Sequence, residues 1–309
     1  MILFLNTRAA GGTALKKWRR IESEFIYRFR PRRIHMPHNV DALHDLLRRA
    51  IENGENELVA AGGDGTVNTL LNSICEVAHP NVLPEICLGA IGLGSSNDFH
   101  KPFLKAQFVG DVPCKVDFRN AYLRDVGCLT IGENGQRVQR YFLANASSGV
   151  TAEANRFFNH PTVTLEFLKR VSTGAAILYA AVRTILLYRN FECTIQVGQN
   201  ERRTTLLTNL AVMKSPHVSG SFLYDTPVAP NDGAFAINLS EYMSKLELLH
   251  LLYSLSQGRF THLHHTQSWS QPSITVSSAE PMAFEYDGEI VTARSAEFTV
   301  LQKHIQVCP

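Results

Sequence analysis

The sequence predicts a three-layer α/β domain at the N-terminus followed by a C-terminal antiparallel β-sandwich domain, and three features carry that expectation. In the first third, apolar strand-like runs alternate with amphipathic helical stretches, the pattern of a parallel sheet covered on its faces. Two of these runs end in glycine-rich turns, GGDGT at 62–66 and GLGSS at 92–96. Beyond about residue 115, short runs separated by Gly, Pro, Asn and Asp replace the alternation, as an antiparallel sheet requires.

The elements follow in order. MILFLNTRAAGG reads as a first strand running into a glycine turn; its apolar stretch is too short for a signal peptide and lacks a basic region before it. In 41–53, Ala42, Leu43, Leu46, Leu47, Ala50 and Ile51 recur at helical spacing, and Gly54 stands where a C-terminal cap is wanted. A strand at 57–61, a helix marked by Val67, Leu70, Leu71 and Ile74, and a strand at 86–91 complete the alternation. The runs 116–130, 141–146, 193–197, 206–213, 234–239, 273–277, 282–286 and 297–301 read as sandwich strands, interrupted by helical stretches at about 165–188 and 245–256. Domains are expected at 1–120 and 121–309, with the last strand able to return to the first domain. The apolar segment 173–188 carries Arg183 and falls short of the roughly 20 residues that span a bilayer, so a buried helix is expected there.

Composition narrows the class. A net charge of +2 over 309 residues leaves no basic footprint for nucleic acid. The six cysteines are scattered without a CxxC pair, which signals neither zinc nor a disulfide framework and favours a reducing, cytoplasmic setting.

The glycine turns suggest chemistry. A helix that starts directly after such a turn presents unpaired N–H groups and a partial positive charge, so it attracts an anion. GGDGT is not a GxxxxGK[ST] loop, and Asn68 stands where a dinucleotide fingerprint needs its third glycine. In a parallel sheet both turns would lie at carboxyl strand ends, where ligands bind. The plainer alternative is that GGDGT and GSSND are ordinary helix caps.

Gly62-Gly63-Asp64-Gly65-Thr66 with Asn68, then Leu93-Gly94-Ser95-Ser96-Asn97-Asp98-Phe99, the stretch 220–239, and Asp287-Gly288-Glu289 resemble, in that order, the diacylglycerol kinase catalytic family, which includes bacterial lipid kinases and sphingosine kinases. The resemblance implies ATP-dependent transfer of the γ-phosphate to a lipid hydroxyl, diacylglycerol-like, sphingoid or related, with nucleotide between the two domains. Carried over by position, it makes Asn6, Thr7, Arg8, Ala9 and Ala10, then Gly62, Gly63, Asp64, Gly65, Thr66, Val67 and Asn68, and finally Ser95, Asn97 and Asp98 the nucleotide-binding residues. The family carries NPxSG after its first strand, and here only Asn6 of that motif is kept. Met36 replaces a family threonine, and Ser96 replaces a glycine beside the hydroxyl of Ser95. These departures bear on adenine and ribose contacts more than on the phosphates.

Phosphoryl transfer also needs a group that receives the hydroxyl proton. In Asp287-Gly288-Glu289, strand periodicity would put both carboxylates on one side, and a like-charge pair raises the pKa of one member. Glu289, Asp287 and Asp64 are therefore the candidate catalytic residues, Glu289 the favoured base; the alternative is an ordinary Asp-Gly hairpin turn. Mg2+ bridging the ATP phosphates would reach Asp64 or Asp98, since hard cations prefer oxygen ligands. The resemblance further implies a separate structural Mg2+ at Asp232 and neighbouring carbonyls, against which stands a plain turn at 231–233. His262 and His264 alternate as on a solvated strand and have no HExxH or cysteine partner.

The expected partners are ATP and a lipid met transiently at a membrane surface, through apolar loops and basic residues such as Lys169 and Arg170; a homodimer is left open. Two other functions compete: a soluble-substrate kinase similar to NAD kinase, and a non-catalytic nucleotide-binding regulator.

Overall fold

The computed structural model describes residues 1–103, 107–133, 136–160 and 162–309. They form two compact units, 1–126 with 302–309, and 127–301.

The first unit comprises β1 (Ile2–Leu5), α1 (Thr13–Phe29), β2 (Arg33–His35), α2 (Val40–Glu52), β3 (Glu57–Gly62), α3 (Asp64–Val77), β4 (Cys87–Gly92) and the hairpin β5 (Phe108–Val109) and β6 (Val112–Lys115). The order β2-β1-β3-β4 is parallel throughout. Register sets Leu3 beside Val59 and Leu5 beside Ala61, and these side chains join Trp18, Ile21 and Phe25 of α1 in one core. On α2 and α3, Leu43, Leu47, Leu70, Leu71 and Ile74 are buried. Helices on both faces explain why β1 is apolar at every position instead of alternating. The Asn39 side chain opens α2 by accepting the Ala42 N–H at 2.8 Å. Helix α1 was not anticipated: Ala14, Trp18, Ile21 and Phe25 do recur at helical spacing, but among many charged residues.

The chain enters the second unit along β7 (Tyr122–Glu133) and continues through β8 (Gln136–Phe142), β9 (Asn145–Gly149), α4 (Val150–Asn159), α5 (Val163–Val171), α6 (Thr173–Leu187), β10 (Phe191–Val197), β11 (Arg203–Met213), β12 (His217–Val218), β13 (Phe222–Leu223), β14 (Phe235–Glu241), α7 (Lys245–Ser256), β15 (Thr266–Gln271), β16 (Ser273–Tyr286) and β17 (Glu289–Val307). Strands pair antiparallel in the order β15-β14-β11-β10-β16-β17, with β9 filling the gap between β11 and β16 beyond the end of β10. Alternation assigns the faces. Leu210, Val212 and Ile237 join Phe142, Phe235 and Phe284 in one core, whereas Ala211, Met213 and Ala236 face Ile185 of α6 and Leu248 and Leu251 of α7.

Several expectations are corrected. The helical stretch at 165–188 is two helices, because Ser172 is extended (φ −158°, ψ 120°) and its hydroxyl caps α6 through the Ala175 N–H. Helix α6 is not a buried helix: Ala176, Ala180, Thr184 and Ile185 face inward, while Leu178, Leu186 and Leu187 are 53%, 60% and 65% exposed. The runs 273–277 and 282–286 are one strand with a register shift between Ser277 and Met282. His262 and His264 are solvated but lie in a turn before β15, where His262 has φ 69°. Among the described residues, no helix is long and apolar enough to cross a membrane.

Candidate functional site

Three loops meet at the carboxyl ends of β1, β3 and β4. Asn6 ties the first to the second, its N–H donating to Ala61 O at 2.9 Å and its side-chain amide to Thr66 Oγ1 at 3.1 Å. Leu93 and Gly94 tie the third to the second, both N–H groups donating to Gly62 O at 2.7 and 3.1 Å. The glycines are required by contact: a Cβ on Gly94 would lie 2.5 Å from Gly63 Cα, and one on Gly62 would lie 2.2 Å from Thr66 Oγ1.

Helix α3 begins at Asp64 behind Gly63, with no side chain capping it. Asp64 Oδ1 instead accepts the Phe99 N–H at 3.0 Å, so this carboxylate holds the two glycine turns together. The alternative of a mere side-chain cap therefore fails at this turn, where a 14-residue helix begins without one, the Thr66 N–H donating to Gly63 O at 2.9 Å. Asn97, in the left-handed region at φ 51°, accepts from Gly94 N–H and donates to Gly92 O, both at 3.1 Å, folding its loop on itself. Ser95 is exposed, whereas Asp98 is engaged by Lys101 Nζ at 2.6 Å. Val67 and Asn68 are each 3% exposed and so lie beneath the turn rather than on it. There the Asn68 amide oxygen accepts from Asn72 Nδ2 at 3.1 Å.

A cavity of about 300 Å3 opens beside Asn6, Arg8, His38, Asn39, Val40 and Thr66. The Arg8 guanidinium donates to the His38 carbonyl across it, and the Arg8 N–H donates to Asn6 Oδ1 at 3.1 Å. Thr7 and Ala9 fill the turn, after which Ala10, Gly11 and Gly12 run left-handed (φ 50°, 64° and 87°) into α1. Missing from the sequence-derived set are His38 and Asn39, which no motif marks. Lys17 is missing too: its Nζ donates to Gly94 O at 2.6 Å, and burial lowers its pKa.

In the second unit, the strand reading of Asp287-Gly288-Glu289 is corrected. Tyr286 pairs with Glu289, and Asp287 and Gly288 have φ 46° and 94°, so they are the two-residue turn between β16 and β17. Asp287 nevertheless does more than turn the chain. Its Oδ2 accepts the Leu143 N–H at 2.7 Å, and its Oδ1 accepts those of Ala144 and Asn145 at 2.9 and 3.1 Å. Glu285, 2% exposed, accepts the Gly288 N–H at 2.6 Å and the Ser147 hydroxyl at 2.8 Å. Asn159, the last residue of α4, donates to Gly288 O at 2.9 Å. The turn is thus braced from three sides.

Glu289 is a surface residue, yet the protein around its carboxyl withdraws enough water to raise its pKa. The cause is burial, not repulsion from Asp287. A cavity of about 740 Å3 lies along α4 and α6, lined by Arg156, Phe157, His160, Arg183, Leu187 and Met282 among others.

At Asp232, where a metal is expected with neighbouring carbonyls, Oδ1 accepts from Lys214 Nζ at 2.8 Å. Among the described residues, no group of three or more His, Cys, Asp or Glu is arranged to hold a metal. Lys169 Nζ donates to Phe158 O and lies 3.9 Å from the Phe158 ring centroid; the Arg170 side chain lies outside the described residues.

Comparison with known proteins matches both units. The diacylglycerol kinase catalytic domain family matches residues 1–114, and the YegS C-terminal NAD kinase beta sandwich-like domain family matches residues 144–309. A diacylglycerol kinase of Staphylococcus epidermidis is 27% identical over 261 residues, 84% of this chain and 76% of its own. One of Staphylococcus haemolyticus is 28% identical over 267 residues, covering 84% and 73%. A crystal structure of a diacylglycerol kinase from Bacillus anthracis aligns with TM-score 0.66 at 15% identity over 99% of this chain and 95% of that one, a likeness of fold alone.

Proposed function

The chain belongs to the diacylglycerol kinase catalytic family and is an ATP-dependent lipid kinase of the YegS-like group, and from that premise we propose which residues do the work. The triphosphate lies against the first turn of α3, where backbone N–H groups and the helix dipole favour phosphate oxygens. Gly63 and Gly94 let the two backbones pack closely enough to form that surface, Gly62 leaves room for the Thr66 side chain, and Asp64 fixes the second turn against it. Adenosine enters the cavity beside Asn6, Arg8 and Thr66. Asp64, in the first turn of α3, would hold the Mg2+ that accompanies ATP. Bound there, it supplies charge neutralisation of the phosphates.

Glu289 receives the proton of the acceptor hydroxyl. Asp287 positions it: with both oxygens committed to three backbone N–H groups, Asp287 sets the hairpin from which Glu289 projects. The acceptor lies in the 740 Å3 cavity of the second unit, whose arginines and apolar residues suit a molecule with a polar head on an apolar body. The observation that carries this assignment is the braced Asp287-Gly288 turn presenting a carboxyl of raised pKa. Incubating the protein with labelled Mg-ATP and either extracted lipids or NAD tests it. Label in an organic-extractable product is expected, and label in NADP alone would move the chain to a soluble acceptor.

The acceptor is met at a lipid surface, through the outward faces of α5 and α6. Val163, Phe167 and Val171 are 87%, 64% and 67% exposed there, alongside the exposed leucines of α6. A lipid acceptor has to be reached where it resides, and such a face is what an interfacial helix presents. Phe167→Glu should weaken sedimentation with phosphatidylglycerol-containing vesicles by about tenfold, the scale of one lost aromatic burial. Turnover of a short-chain, detergent-dispersed lipid should be unchanged. Equal vesicle binding by both proteins would take α5 off the membrane.

A further inference from the structure

We propose that the Lys214 ammonium stands permanently in the place of a structural metal ion in the second unit, so that this unit folds and holds its turn without a divalent cation. The Lys214 side chain is 0% exposed, at the end of β11. Its Nζ donates to Asp232 Oδ1 and to Ala234 O, each at 2.8 Å. Those are a carboxylate and a backbone carbonyl two residues apart, the kind of oxygens that would ligate a hard cation. Mg2+ needs such lone pairs at about 2.0–2.1 Å and Ca2+ at about 2.3–2.6 Å. An ammonium within hydrogen-bond reach of both oxygens takes up that space and repels a dication.

The ammonium does what a bound ion would do there. It draws the turn at 231–233, with Gly233 at φ 76°, onto the end of β11, and the Ala234 N–H closes the same ring on Asp232 Oδ1 at 3.2 Å. The Lys214 N–H donates to Ala144 O at 2.8 Å, and the Ala144 N–H is one of the three on Asp287. One residue therefore separates the internal cation from the carboxylate that sets the hairpin. A covalently held ammonium cannot be chelated, so Mg2+ dependence of turnover arises from ATP alone.

Thermal unfolding without nucleotide tests this, in millimolar Mg2+ against EDTA. The unaltered protein is expected to show the same Tm in both. Lys214→Ala, which frees the two oxygens, should have a lower Tm that Mg2+ or Mn2+ raises saturably, and adding Asp232→Asn should abolish the rise. A saturable Mg2+-induced rise in the unaltered protein that Asp232→Asn removes would overturn the proposal. So would a folded Lys214→Ala protein indifferent to metal. Should Lys214→Ala not fold, Mn2+ binding to the unaltered protein by electron paramagnetic resonance decides alone. No site sensitive to Asp232→Asn is expected, and one such site would refute the ammonium's role.

Discussion

Glu289→Gln lowers kcat for lipid phosphorylation by roughly 10²–10⁴-fold while leaving ATP affinity unchanged, the range for loss of a general base. The amide keeps the size of the side chain and removes only its ability to take a proton. Burial raises the Glu289 pKa, so in the unaltered enzyme the rate climbs with pH as this carboxyl ionises, at a midpoint above the usual glutamate value. The glutamine variant lacks that limb of the profile. The sign for stability is the reverse of a structural carboxylate. A carboxyl whose folded pKa is raised costs the fold stability as pH rises through that pKa, so Glu289→Gln should keep or slightly raise Tm at neutral pH. Asp287→Asn behaves differently. An amide cannot accept on both ends as the carboxylate does from Leu143, Ala144 and Asn145, so Tm falls together with kcat. Normal turnover by Glu289→Gln across the pH range would remove Glu289 as base.

In the first unit β1, β3 and β4 were legible because each is a short apolar run, β3 and β4 ending in glycine, and because α2 and α3 carried their core residues at helical spacing; β2 was not, since only Ile34 of its three residues is apolar. Helix α1 escaped because its buried residues come once per turn between Lys, Arg and Glu, a thin stripe in a polar background. The turns at 62–66 and 92–96 could be read as a loop cluster, but not that Asp64 spans from one to the other, since the Phe99 N–H it binds belongs to a separate loop. Around Asp287 the error was one of period. Alternation assumes a continuing strand, whereas a left-handed Asp-Gly pair reverses the chain and sends Asp287 towards the β8–β9 connection. Asp232 shows the limit most plainly, because its partner Lys214 lies 18 residues away, just past the end of β11.

Gly65→Val should abolish measurable ATP binding and lower kcat/KM by at least about 10²-fold, the scale on which misplacing a reacting group by 1 Å is felt. Gly65 is the second residue of α3, in the first turn, where N–H groups are left for a ligand. Its φ is not in the left-handed region, so a side chain is tolerated by the backbone, and replacing glycine within a helix relieves a cost of up to about 1 kcal/mol. Valine therefore leaves the fold intact and projects a branched side chain at the surface where phosphate must touch backbone. Gly94→Ala makes the contrast: its Cβ would lie 2.5 Å from Gly63 Cα, so the two turns must part and Tm must fall before any ligand is added. Asp64→Asn falls between them. An amide oxygen can still accept the Phe99 N–H, so ATP binding largely persists, while the lost charge beside the triphosphate lowers turnover. Calorimetric titration with Mg-ATP, run with circular dichroism on all three variants, separates these outcomes. Unchanged ATP affinity in folded Gly65→Val would mean that the triphosphate does not lie on α3.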